Sequence, residues 1–240
     1  MSENRPQAPL SNYVVETSLG RAVYSAESRA PRVLMIHGFK RGAGQLVSWR
    51  QRIPGLGFMH LPGHSGAPLF TEVSIAAWIA GLGEVFASFA EPPLVIAESL
   101  GAIVAMSLPY RALIAVEPPL SVDNLWPLHR TIAAARARGV EIEPEMLSLF
   151  EAPFTWTLER ISAPTLVLAG LDPLMPERAY SREPSVLTDE DFAAYAAHPL
   201  VEAHRIVGGH TLLDHSAPAV MATARPFMIR HGFLPDPAAT

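Results

Sequence analysis

The sequence predicts an α/β fold built on a mostly parallel eight-stranded sheet with helices on both faces. Three observations carry this. Short β-branched or leucine-rich runs recur along the chain, longer segments of helical periodicity lie between them, and an alternating hairpin opens the whole. The hairpin pairs Asn12 to Thr17 with Arg21 to Ala26 around a Ser18-Leu19-Gly20 turn. The later strand candidates are Arg32 to Ile36, Gly57 to His60, Leu94 to Ala97, Ala112 to Val116, Thr165 to Ala169 and Arg205 to Val207. Each is too short for a buried helix. From Ser74 to Phe89, apolar residues Ile75, Trp78, Ile79, Leu82, Val85, Phe86 and Phe89 recur at i, i+3, i+4, i+7, which marks a helix with one buried face. Leu100 to Leu108 is a second helical segment. Buried strands joined by helical crossovers imply parallel pairing.

The interval Pro118 to Arg160 is too long for a simple crossover. It holds two proline-bounded helical stretches, Leu128 to Arg138 and Glu145 to Glu151, and reads as an inserted helical cap over residues 118–160. The chain is otherwise expected to form one domain over residues 1–240. Its 240 residues are 49% hydrophobic and only 17% charged, so there is ample material for a core. The net charge of -5, with 18 basic residues scattered along the chain, argues against nucleic acid as a partner. Without cysteine there is no disulfide, thiolate metal site or cysteine nucleophile. No apolar run approaches the roughly 20 residues of a membrane span, and Met1 to Leu10 lacks a secretory pattern, so a soluble cytoplasmic protein is expected, with no membrane partner.

The sharpest chemical signal is Leu94-Val95-Ile96-Ala97-Glu98-Ser99-Leu100-Gly101, a strand running straight into a helix with a serine at the turn. Such a turn admits only small residues two before and two after the serine, and Ala97 and Gly101 satisfy this. A serine hydroxyl needs a base, and that base an orienting acid. Asp172 follows the run Thr165 to Ala169 and a Gly170-Leu171 step, ahead of Pro173. His210 follows Arg205 to Val207 and the pair Gly208-Gly209, with His204 and His215 as nearby alternatives. Ser99, Asp172 and His210 thus lie just beyond the C-terminal ends of successive strands, the edge where α/β sheets place ligands.

In this arrangement the chain resembles the α/β-hydrolase superfamily, whose nucleophile, acid and histidine follow the fifth, seventh and eighth strands in that order. The resemblance runs from Asn12 to about Phe227, and the cap falls in the family's place, after the sixth strand. Alanine at position 97 departs from the family's usual glycine by one methyl group. Val33 to Ile36 closing on His37-Gly38 resembles the family's oxyanion segment. It implies an oxyanion hole made of the backbone N–H groups of Phe39 and Leu100, with His37 in a structural role. Leu61 to Gly66 resembles the loop after the fourth strand, with His60 where an aspartate often stands. Glu117, at the end of the sixth strand, is a second candidate acid, because some members of this fold draw their acid from that edge. Asp172 is preferred, since its strand is nearer the histidine loop and Gly170 permits a turn toward the imidazole.

The resemblance implies a serine hydrolase that forms an acyl-enzyme at Ser99, with His210 as base, Asp172 as orienting acid, and no metal or organic cofactor. An acyltransferase or perhydrolase on the same triad, or a catalytically silent binding protein, are the alternatives. Leu125, Trp126, Phe150, Phe154 and Trp156 are the expected lining of a pocket for a small, mainly apolar ester or thioester. Lys40 and Arg41 are expected to be solvated loop cations. The sequence leaves the oligomeric state open.

Overall fold

A computed structural model describes residues 7–121, 137, 139, 144–171 and 184–235. The hairpin forms as expected, with β1 at Ser11–Thr17 and β2 at Gly20–Ala26. The remaining strands are β3 at Val33–Ile36, β4 at Leu56–His60, β5 at Leu94–Glu98, β6 at Ala112–Val116, β7 at Thr165–Gly170 and β8 at Val201–Ile206. They make one open eight-stranded sheet in the order β1-β2-β4-β3-β5-β6-β7-β8. Antiparallel pairing is confined to β1 with β2 and β2 with β4; every pair from β4 to β8 is parallel.

Strand β8 differs from the expectation of Arg205 to Val207: it begins four residues earlier and ends one earlier. As an edge strand it alternates Glu202 and His204 outward with half-buried residues, so it lacks the continuous apolar run that reveals the central strands.

Alternation along the strands divides two cores. Leu34, Ile36, Val95, Ala97, Leu113 and Ala115 point to one face, where they pack with helices α2 (Ile75–Ala87), α3 (Leu100–Ala105) and, further along, α5 (Asp189–Ala196). Met35, Ile96, Ile114 and Leu168 point to the other face. There they meet α1 (Ala43–Leu46), α6 (Leu212–His215) and α7 (Ala217–Arg230). Helix α2 starts where Ser74 Oγ accepts the Ala77 N–H at 3.1 Å, a side-chain N-cap.

The described part of the insertion contains α4 at Pro144–Leu147 and 3-10 turns at Ser148–Phe150 and Thr155–Arg160. The expected helix at Leu128 to Arg138 lies outside the described residues, apart from position 137. Leu120 O accepts the Phe154 N–H at 2.8 Å, which joins the two ends of the insertion.

Candidate active site

Strand β5 ends at Glu98, and Ser99 takes φ 53 and ψ -121 before α3 begins. Positive φ is costly for a residue with a Cβ, and it persists here because both sides of the turn are pinned. The Ser99 N–H donates to Val116 O at 2.9 Å, while its carbonyl accepts the Ala102 N–H at 2.9 Å. The small residues required by the sequence argument have visible causes. A Cβ on Gly101 would stand 2.5 Å from His37 O, and Ala97 is fully buried against the helical layer. The turn thus brings Ser99 beside the end of β3, where a Cβ on Gly38 would lie 3.3 Å from Ser99 Cβ.

The segment after β3 is held from below by histidines. His37 Nδ1 donates to Gly38 O at 2.9 Å, and its Nε2 accepts the Leu61 N–H at 3.3 Å. Burial, countered only in part by the bond to Gly38, holds the His37 imidazole down to about 4, so it stays neutral. His64 Nδ1 pairs with Pro62 O at 2.9 Å, and its Nε2 accepts the Lys40 N–H at 3.1 Å. Lys40 itself has φ 58, so this bond fixes a strained residue next to Phe39. His60 is buried and meets Ser25 Oγ of the neighbouring strand β2 at 2.7 Å.

His210 lies on the loop between β8 and α6, with 20% of its side chain exposed. The loop crosses the end of β7 so closely that a Cβ on Gly170 would come within 2.4 Å of Gly208 O. The acid that meets this imidazole is Glu117: His210 Nδ1 stands 3.3 Å from Glu117 Oε2. Glu117 is fully buried and has φ 53, which turns its side chain across the end of β7. Its Oε1 accepts the Gly170 N–H at 2.5 Å and the Ser185 hydroxyl at 2.8 Å, and its Oε2 accepts the Val186 N–H at 2.7 Å. A carboxylate with these partners can only accept from the imidazole, so Nδ1 carries the proton and Nε2 is left as the basic nitrogen. Asp172, the acid preferred from the sequence, lies outside the described residues.

Of the expected pocket residues, Phe150 stands with its ring centroid 5.0 Å from that of Phe39, edge to face, and Phe154 packs behind it at 6.5 Å. Phe154 is buried to 2% exposure and supports the insertion. Trp156 lines a different groove, of about 680 Å³, with Ile75, Ile79, Met106, Arg160 and Ser162. Leu125 and Trp126 lie outside the described residues. Arg41 is not a solvated cation. It pairs with Glu98 and Asp214, a contact the sequence signals only through a charged residue closing a buried strand. Lys40 Nζ sits over the Phe39 ring at 5.5 Å.

Similarity in three dimensions decides the fold. A carboxylesterase from Bacillus subtilis superposes with a TM-score of 0.65 at 13% identity, over 91% of this chain and 91% of its own. The chain has the α/β-hydrolase fold. A thioesterase domain from a curacin biosynthetic pathway matches at 0.60 and 17% identity, over 89% of this chain and 98% of that one. A serine hydrolase involved in carbazole degradation matches at 0.62 and 14%, over 92% and 100%. No family model matches the chain, and no curated protein does. Among the described residues there is no group of histidine and acidic side chains that could hold a metal ion, and no helix long and apolar enough to cross a membrane.

Proposed function

We propose that the chain is a serine hydrolase that cleaves a small, mainly apolar ester or thioester, with Ser99 as nucleophile, His210 as base and Glu117 as orienting acid. The observation that carries this reading is the 3.3 Å contact of His210 Nδ1 with a fully buried Glu117, at the sheet edge that also bears the strained Ser99. The similarity of the fold to esterases and thioesterases is consistent with it.

In this mechanism His210 Nε2 takes the Ser99 hydroxyl proton as Oγ attacks the carbonyl carbon. The Phe39 and Leu100 N–H groups hold the oxygen that becomes negative, and Glu117 steadies the imidazolium. Nε2 then returns the proton to the leaving alcohol or thiol, and water releases the acyl group by the same steps in reverse. The edge-to-face pair of Phe39 and Phe150 presents an apolar surface above the oxyanion position, which suits a small aryl or alkyl group. Helix α4 at Pro144–Leu147 would form part of the cap over it.

A fluorophosphonate probe followed by peptide mapping tests the reading. Modification at Ser99, loss of labelling in Ser99→Ala, and turnover of simple aryl esters or thioesters are expected. An unlabelled wild-type chain, or a Ser99→Ala variant that still hydrolyses esters, would overturn it.

A further inference from the structure

Glu98 is the residue between the last buried position of β5 and the nucleophile. Strand alternation turns it to the face opposite Ala97, toward α6. Its side chain is 2% exposed, yet it carries a carboxylate whose Oε2 lies 2.9 Å from Arg41 Nε. Arg41, from the loop that follows β3, also grips Asp214 on α6 with both terminal nitrogens, at 2.6 and 2.8 Å. One guanidinium therefore ties together the nucleophile elbow, the oxyanion segment and the helix that begins two residues after His210.

A buried ion pair is weak evidence for stability, because desolvation offsets most of the attraction and apolar side chains of similar volume often do as well. This one lies where the relative placement of three segments decides whether a reaction occurs. The charged groups facing Glu98 are Arg41 from the loop after β3, His210 from the loop after β8, and Asp214 from α6, with the Gly38 N–H beside it. Asp214 in turn faces Arg41 and His215.

We propose that Arg41, anchored on Glu98 and Asp214, is a positioning residue that locks the oxyanion segment and the histidine loop against the nucleophile elbow. The proposal rests on the serine-hydrolase reading above. Burial pushes the Glu98 carboxyl up, while Arg41, His210 and the Gly38 N–H oppose that shift. Hydrogen bonds from Arg41 hold the Asp214 carboxyl down, so Arg41 favours the ionised form of both.

The test uses Arg41→Lys, Arg41→Met, Glu98→Gln and the double variant Arg41→Met/Glu98→Gln, each checked for folding by circular dichroism. Arg41→Met should lower kcat on an aryl ester about 10- to 100-fold with KM within about twofold, because misplacement of the reacting groups acts on the chemical step. Arg41→Lys should recover part of the loss, and the double variant should be no worse than Arg41→Met, as expected of residues that act as a unit. If Arg41→Met fails to fold because Glu98 is left buried and unpaired, the double variant carries the kinetic comparison. A folded Arg41→Met or double variant with wild-type kcat would overturn the proposal. Continued fluorophosphonate labelling at Ser99 in the wild type would show that the hydrolase reading survives that outcome; absent labelling would remove both.

Discussion

Two glutamates close neighbouring strands at the edge that bears Ser99, and the protein treats them differently. Glu117, after β6, meets neutral donors among the described residues: two backbone N–H groups and a serine hydroxyl, besides the imidazole of His210. Glu98, at the end of β5, is matched to a guanidinium that is itself shared with Asp214. Dipoles fix the position of a carboxylate without cancelling its charge, whereas a counter-ion cancels much of it. On the proposed reading Glu117 acts on His210 directly, and Glu98 holds segments together through Arg41. Residue type and depth do not separate the two roles; the identity of the partners does.

The largest test of this contrast removes the imidazole that Glu117 meets. His210→Ala should lower ester turnover on the order of 10⁶-fold in kcat, while His215→Ala and His204→Ala remain within a few-fold of wild type. Equal losses at His210 and His215 would mean that the base has been assigned to the wrong imidazole. A second test compares stability. Glu117→Ala leaves the buried Gly170 and Val186 N–H groups without their acceptor and should cost about 3 to 5 kcal/mol in urea unfolding. Arg41→Met/Glu98→Leu replaces an ion pair by apolar contacts on one side and should cost less, about 1 to 2 kcal/mol, with Asp214 left to solvent. If the double change proves the more damaging, the contrast between dipole and counter-ion fails.

A smaller effect concerns the support of the segment after β3. His37 is held down to about 4 in the fold, against 6.5 for a free imidazole. Below 6.5 the unfolded chain takes up a proton that the folded chain refuses, so stability is full above that pH and falls as the pH drops toward 4. The loss amounts to roughly 3 kcal/mol from this residue alone. His37→Asn should flatten the decline in melting temperature between pH 7 and pH 4.5, and an unchanged slope would show that His37 is not the group responsible.

Most of the sheet and the elbow were legible because their signals are local. Central strands are continuous apolar runs, and the small residues at Ala97 and Gly101 answer to contacts a tight turn always imposes. What the sequence hid depends on how far a side chain reaches across the sheet edge. Glu117 shows nothing in its neighbours that announces φ 53, and the two prolines after it suggest only the exit into the insertion. Arg41 reads as a loop cation because Glu98 and Asp214 are 57 and 173 positions away in the chain. Helix α7 carries Pro226 and a broken apolar pattern, so periodicity gave no expectation for it.

The most direct test of the triad compares Glu117→Gln with Asp172→Asn on one activated ester, after circular dichroism shows that both are folded. The account predicts a loss of roughly 10⁴-fold in kcat for Glu117→Gln, the cost of an imidazole without its orienting acid, and a change within a few-fold for Asp172→Asn. Near-normal turnover in Glu117→Gln together with collapse in Asp172→Asn would contradict it and return the acid to the end of β7.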